Sequence, residues 1–279
     1  MDIKRPNSII IKGTGKYVPE KIVTNDDLSK IVDTSDEWIF GRSGIKRRRI
    51  AAAGETTSDM ALKASRAAIE SAGLTPHDID LVIVTTVSPD MLFPSTACIL
   101  QAKLGIRNNI PCFDLGAACS GFVYGMEAAT SMMASGRYKN ALVVSSEKMS
   151  SMLDWKDRST CVLFGDGAGA AIFRLADTPF ALTLGARGSD VLHAGGPSRE
   201  GSAPITMDGK AVFRFAVDAL PKCLHTVLDE TRLTLEDLSW VVCHQANSRI
   251  IDHCIKALQA DPAKSVSYTH LRAHETGRN

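Results

Sequence analysis

Two residues have the type and setting that nucleophilic chemistry needs. Cys119 lies in DLGAACSGF, between CFDL, which reads as a strand, and a helical pattern that begins at or just after the cysteine. A thiol attacks as its thiolate, and an ordinary pKa of about 8.5 leaves little of that form at neutral pH. The N–H groups and positive end of a helix starting there would stabilise the anion. The same turn could supply a donor to the oxyanion formed when a thiolate attacks a thioester carbonyl. A free cysteine among alanines and glycines more often only packs. His244, in WVVCHQANSRII, shifts the balance toward catalysis. It stands where an apolar strand gives way to a polar loop, and a neutral imidazole there donates a hydrogen bond or exchanges a proton near pH 7. His77, His193, His225 and His253 lack such a setting, and His270 and His274 fall in the final residues. Cys119 and His244 are therefore the candidate pair.

Positioning them calls for strands and helices in alternation. SIIIKGTG, LVIVTTV, CFDL, ALVVSS and GAGAAIF are apolar on both faces and read as buried strands. SDMALKASRAAIESAG and GFVYGMEAATSMMASG repeat apolar residues at three and four positions, and close on Gly73 and Gly136, each suited to a left-handed cap. This pattern predicts an α/β fold with parallel or mixed sheets. LTPHDIDLVIVT (74–85) and LTLEDLSWVVCH (233–244) align without a gap, each after one helical segment and before another. The alignment suggests two α/β halves, 1–175 and 176–264, meeting near 175–185, although any two helix-turn-strand units share such a pattern. It places His244 at the carboxyl end of a strand, where open α/β sheets collect ligands.

Composition bounds the partners. A net charge of +1 over 279 residues gives no general pull toward nucleic acid or an anionic membrane, so an anionic ligand must be held by a local basic cluster. The run Lys46 to Arg49 reads as a solvated face. No stretch approaches the ~20 apolar residues of a membrane span, and the N-terminus lacks a secretory apolar core, which points to a soluble, cytoplasmic protein. The cysteines at 98, 112, 119, 161, 223, 243 and 254 form no CxxC pair and read mostly as buried thiols, neither a metal set nor a disulfide framework. FGDGAGA lacks the GxGxxG spacing and precedes a strand, so it reads as close packing and not as a nucleotide loop.

TSDEWIFGRSGIKRRRI, FPSTAC, DLGAACSGF, FGDGAGAAIF and HQANSRII, in this order and spacing, closely resemble the β-ketoacyl-acyl carrier protein synthase III family of the thiolase superfamily, from about residue 8 to about residue 264. The resemblance implies a thiolase-like five-layer αβαβα fold with duplicated halves and a homodimer. It implies that Cys119 takes an acyl group from an acyl-CoA, usually acetyl-CoA, and that malonyl-ACP then loses CO2 and attacks the acyl-enzyme to give β-ketoacyl-ACP. That chemistry opens fatty-acid synthesis. Acyl-CoA would be a substrate, with no permanently bound cofactor and no metal. His244 would donate to the enolate oxygen.

By the same resemblance Trp38 stacks on the adenine of CoA, Arg42 and Arg158 contact its nucleotide end with Thr34 nearby, and Gly209 and Asn247 line the pantetheine tunnel. Arg214 and Arg249 would dock the acidic carrier protein, and Phe93 would cross the dimer interface to close the partner's acyl pocket. Residues 265–279, SVSYTHLRAHETGRN, depart from the family pattern and resemble translated vector sequence, so the second half is expected to be incomplete. The asparagine of a GNTSAAS-like segment, the family's second oxyanion donor, is then absent, and losing such a donor costs typically 10²- to 10³-fold. Competing readings are a related condensing enzyme of secondary metabolism, type III polyketide synthase or hydroxymethylglutaryl-CoA synthase chemistry, and an inactive fragment. A Cys-His protease fits less well, because the setting of Cys119 does not resemble one.

Overall fold

The computed structural model describes residues 8–195, 203–266 and 271–272. His270, His274 and most of the 265–279 segment lie outside them. In chain order the elements are β1 (Ser8–Tyr17), β2 (Lys21–Thr24), α1 (Asn25–Leu28), α2 (Asp36–Ser43), β3 (Arg47–Ile50), α3 (Thr57–Ser71), β4 (Leu81–Thr85), α4 (Thr96–Leu104) and β5 (Cys112–Leu115). There follow α5 (Gly121–Met133), β6 (Ala141–Lys148), β7 (Asp166–Ala176), β8 (Leu192–His193), β9 (Thr206–Met207), α6 (Gly209–Thr231), β10 (Val241–Val242), α7 (Ser248–Leu258), β11 (Ser265–Val266) and β12 (Leu271–Arg272). The chain forms two compact units. Among the described residues one holds 8–20, 51–148 and 166–180, and the other holds 21–50, 149–165, 181–195, 203–266 and 271–272.

The first unit is built on a five-stranded mixed sheet ordered β1-β7-β6-β4-β5. β4 runs parallel to both β5 and β6, whereas β7 is antiparallel to β6 and to β1. Alternation along the strands sorts the core onto two faces. Val82, Val84, Leu142 and Val144 pack with Met60, Ala64 and Ala68 of α3 and Leu100 of α4. Leu81, Ile83, Ala141 and Val143 face the other way, onto Ala129 and Met133 of α5. Helices on both faces explain why the first four residues of LVIVT are all apolar and the whole strand, Thr85 included, is buried. α3 starts on a capping box in which Thr56 and Asp59 satisfy each other's backbone N–H.

β1 departs from the expectation of a buried strand. It is a sheet edge, and Ile10 and Ile11 are 37% and 57% exposed. Its glycines have a specific use: a Cβ on Gly13 would lie 2.4 Å from the Ala68 carbonyl oxygen, and one on Gly15 would lie 2.1 Å from that of Ala64. The backbone of α3 therefore rests directly on the backbone of β1. Gly73 and Gly136 adopt φ of 66° and 77° past their helices, as the sequence predicts.

In the second unit Leu28, Ile39, Ile45, Cys161 and Val162 form a core flanked by Trp38 and Trp155. The solvated face predicted for Lys46 to Arg49 does not hold at Arg48, which is fully buried. Its Nη2 donates to Asn25 Oδ1 and to the Val162 carbonyl, both at 2.9 Å, and its Nη1 donates to the Val23 carbonyl at 3.3 Å. On β3 alternate residues point inward, so the run divides between solvent and core. Gly165 of FGDGAGA packs as expected: a Cβ there would come within 3.0 Å of the Arg49 carbonyl oxygen.

The two aligned sequence segments fold alike, each within its own unit. The Thr75 N–H and hydroxyl both donate to Asp78 Oδ2, at 2.8 and 2.7 Å, and those of Thr234 both donate to Asp237 Oδ2 at 2.8 Å. β4 then pairs parallel with β5 across α4, and β10 pairs parallel with β11 across α7, with Val82 opposite Cys112 and Val241 opposite Ser265.

Gly15→Ala is predicted to destabilise by about 1–3 kcal/mol through overpacking. Gly41→Ala, in α2 with open space around the new Cβ, should gain about 0.5–1 kcal/mol. Thermal unfolding followed by circular dichroism should therefore shift in opposite directions for the two variants.

Candidate active site

β5 ends at Leu115, and the chain passes through Gly116 and Ala117 into a 3-10 turn, Ala118–Ser120, before α5 begins at Gly121. Ala118 holds φ at 43°, a left-handed backbone that costs a residue with a Cβ about 1–2 kcal/mol. The next residue is Cys119, exposed and one turn from the first N–H groups of α5. Strain of this kind persists only where surrounding packing over-determines it, and it concentrates at functional sites. The packing is visible: Cβ atoms on Gly121 and Gly125 would meet Thr85 and Val143 side chains at 2.8–3.1 Å, so α5 is seated closely on β4 and β6.

The expectation of mostly buried thiols holds for Cys161 and Cys254 alone. Cys98, Cys112 and Cys243 are half-buried, Cys119 and Cys223 are exposed, and none of the seven is in a disulfide. Burial pushes the Cys112 thiol up to about 11 and raises Cys161, Cys243 and Cys254 as well.

His244 belongs to the second unit. β10 ends at Val242, and the imidazole leaves the backbone exposed two residues on, where the Ala246 N–H donates to the His244 carbonyl at 2.9 Å. Gln245 Nε2 donates to the Cys243 carbonyl at 3.0 Å and stiffens the same turn. This is the strand-end position that the sequence alignment predicts.

The same unit gathers most of the remaining candidates. α2 is capped by Ser35, whose hydroxyl accepts from the Trp38 N–H at 3.1 Å. Two guanidinium groups lie against the Trp38 indole, Arg42 at 4.9 Å and Arg158 at 4.8 Å from the ring centroid. Arg158 is held there by donating to the Asp33 carbonyl at 2.7 Å. Nearby in sequence, the Thr34 hydroxyl is buried without a hydrogen-bond partner, a costly state that a ligand group would relieve.

Arg42, Gly209, Arg214, Asn247 and Arg249 line one cleft of about 690 Å³, together with Lys210 and Phe213, which the sequence reading did not single out. Asn247 caps α7: its Oδ1 accepts from the Arg249 N–H at 2.9 Å, and its Nδ2 donates to the Arg42 carbonyl at 3.1 Å. Gly209 opens α6, and a Cβ added there would meet nothing nearer than Met207 Cε at 3.7 Å, which leaves the backbone approachable. Four cations around one cleft answer the requirement set by a near-neutral chain. The signal for Lys210 was its place beside Gly209.

Phe93 lies in the first unit, between β4 and α4, and is 83% exposed beside Leu92 at 72%.

A strained, exposed cysteine at a strand-to-helix turn of an α/β sheet is a setting for covalent acyl transfer, and the solved structures that the chain matches place it among acyl-transferring enzymes of the thiolase-like fold. The structure of 3-oxoacyl-[acyl-carrier-protein] synthase III from Aquifex aeolicus matches with a TM-score of 0.90 and 42% identity, over 96% of this chain and 86% of that one. The priming β-ketosynthase of the R1128 polyketide pathway matches at 0.84 and 36%, over 96% and 83%. The β-ketoacyl-[acyl-carrier-protein] synthase III of Clostridium acetobutylicum is 49% identical over 265 residues, 90% of this chain and 81% of that protein, and that of Neisseria meningitidis is 49% identical over 256 residues, 89% and 80%. The family model for 3-oxoacyl-[acyl-carrier-protein (ACP)] synthase III matches residues 113–188, and the model for its C-terminal part matches 228–276. The chain belongs to the β-ketoacyl-[acyl-carrier-protein] synthase III family.

Iodoacetamide at pH 7.5 should alkylate Cys119 at least about tenfold faster than Cys112 or Cys243, because Cys119 is exposed whereas burial shields the other two thiols and raises their pKa. Peptide mapping over a time course checks the order.

Proposed function

We propose that Cys119 is the acyl-carrying nucleophile of a condensation that joins an acyl-CoA primer, acetyl-CoA first among them, to malonyl-ACP and releases β-ketoacyl-ACP, the opening step of fatty-acid synthesis. The Cys119 thiolate attacks the thioester carbonyl, the C–S bond to CoA breaks, and CoA leaves as its thiolate, which takes up the proton that the Cys119 thiol gave up. Malonyl-ACP then loses CO2, and the resulting carbanion attacks the acyl-cysteine and returns the thiolate. His244 is the donor to the enolate oxygen during decarboxylation, a charge that a positioned imidazole stabilises. The observation that carries this reading is the exposed cysteine at the start of α5, held by a strained Ala118 in a chain of this family.

The cleft in the second unit suits the CoA nucleotide. The indole of Trp38 is a platform on which adenine would stack in place of one of the two guanidinium groups, Arg42 and Arg158, that lie over it and that suit phosphate once displaced. Thr34 supplies a hydroxyl in want of a partner. Gly209 and Asn247 leave room for a narrow pantetheine arm, and Arg214 and Arg249, both exposed, provide charge for an acidic carrier protein. Phe93, uncovered on its own protomer, is read as a wall of the partner's acyl pocket in a homodimer.

Intact-mass and peptide mass spectrometry after incubation with acetyl-CoA should find one acetyl adduct, on Cys119, and none on Cys119→Ser treated alike. An adduct elsewhere would overturn the assignment. Trp38→Ala and Arg42→Ala should each raise the acetyl-CoA concentration for half-maximal acylation about tenfold, equivalent to about 1.4 kcal/mol, without moving the adduct.

A further inference from the structure

The segment from Thr86 to Ser95, between β4 and α4, ends in an uncovered apolar tip, yet its flanks are among the most heavily hydrogen-bonded loop backbone in the first unit. Glu147, near the end of β6, accepts from the Val87 N–H at 2.9 Å, the Ser88 N–H at 3.1 Å, the Thr86 hydroxyl at 3.1 Å and the Ser88 hydroxyl. Asp90 reaches the first turn of α3, where its Oδ1 accepts from the Ser58 N–H at 2.9 Å and its Oδ2 from the Ser58 hydroxyl at 2.5 Å. At the far end Asp114 of β5 accepts from the Thr96 and Ala97 N–H groups at 2.7 and 2.8 Å. Between the second and third of these points stand Met91, Leu92 and Phe93, which are 49%, 72% and 83% exposed.

We infer that Glu147, assisted by Asp90, is a positioning residue for primer choice: it fixes the Thr86–Asp90 segment and so sets where Phe93 stands as a wall of the acyl pocket. The inference rests on the proposed role of Phe93. The physical case is the mismatch between tip and flank. An apolar tip with no core beneath it has no packing of its own to hold a conformation, so its position is inherited from the polar contacts behind it. Burial raises the pKa of the Glu147 carboxyl above the usual range even against four donors that favour the anion, and an apolar side chain in its place would leave those donors without an acceptor. What a carboxylate adds is reach to two consecutive N–H groups and two hydroxyls, which defines one turn geometry. Register supplies the rest: Thr85 lies opposite Ser145 on β6, so Glu147 stands two residues on, beside Val87.

The experiment is a double-mutant cycle on the full chain, read by the rate of Cys119 acylation with acetyl-CoA and with octanoyl-CoA, followed by intact mass. Phe93→Ala should shift the octanoyl-to-acetyl ratio of rate constants about fivefold or more, within the range that a few methylene contacts provide. Glu147→Gln should shift the same ratio about threefold or more in the Phe93 background, and by less than about 1.5-fold once Phe93→Ala is present, since coupled residues are not additive. If Phe93→Ala leaves the ratio unchanged, the reading of Phe93 falls. If Phe93→Ala moves it and Glu147→Gln does not, or moves it equally in both backgrounds, the inference about Glu147 is overturned. Should Glu147→Gln fail to melt cooperatively, Asp90→Asn takes its place in the cycle, with the same outcomes deciding.

Discussion

The first unit depends on one alignment: the parallel rows that set Thr85 opposite both Leu115 and Ser145, so that β4, β5 and β6 finish at one edge. The hydroxyls of Thr85 and Ser145 meet at 2.5 Å and mark that edge. Loops leaving parallel strands at their carboxyl ends converge, which is why such edges collect ligands. Three chemically distinct pieces leave from this one: the turn carrying Cys119, the segment carrying Phe93, and Glu147. A one-residue slip of β5 would turn its alternate side chains to the other face and carry the cysteine turn with them. Gly121 and Gly125 allow α5 to press against Thr85, so the helix that receives the nucleophile is located by the same strand that starts the Phe93 segment.

The second unit concentrates positive charge locally in a chain of net charge +1. Arg42, Lys210, Arg214 and Arg249 share a cleft, and each is drawn from α2, α6 or α7. Helix starts place them: Asp208 caps α6 just before Gly209 and Lys210, and Asn247 caps α7 just before Arg249, so capping and cleft-lining side chains adjoin within a few residues. At Trp38 two guanidinium groups lie against one indole, and the ring's electron-rich faces offset the repulsion between them. Asp33 bears on Arg158 as well, its carbonyl accepting at 2.7 Å and its carboxylate standing 3.6 Å away.

Much of this was legible in the sequence because it follows from period and punctuation. The strands of the central sheet, the two glycine-closed helices and the pair of Leu-Thr segments were visible as alternation, three-four spacing and a repeated Thr-x-x-Asp box. Cys119 and His244 were singled out by setting, a reactive side chain where a strand meets a turn, and the structure places each just past the end of a strand. What stayed hidden depends on which way a residue faces once folded. Arg48 sits in a basic run that any charge count sends to solvent, and only the pairing of β3 turns it toward Asn25 and Val162. Ile10 and Ile11 look like core, but their strand lies at a sheet edge. The left-handed Ala118 has no sequence signal at all, since alanine is not a residue that advertises positive φ.

Glu147 belongs to the same hidden class, and it shows how stability and function are separated in this fold. The core strands tolerate no freedom: β4 is buried at every residue, and its neighbours fix it on both sides. The proposed function draws on two features that such a core disfavours, a backbone strained at Ala118 and an aromatic residue left uncovered at Phe93. Each is placed one short segment away from the sheet, close enough to inherit its rigidity yet outside its packing. For the cysteine the link is covalent and steric, from β5 through Gly116 into a helix seated on glycines. For Phe93 it is polar, because a tip that must remain bare cannot be held by apolar contacts. Carboxylates behind the tip are the means left to position it, and that is where Glu147, Asp90 and Asp114 are found.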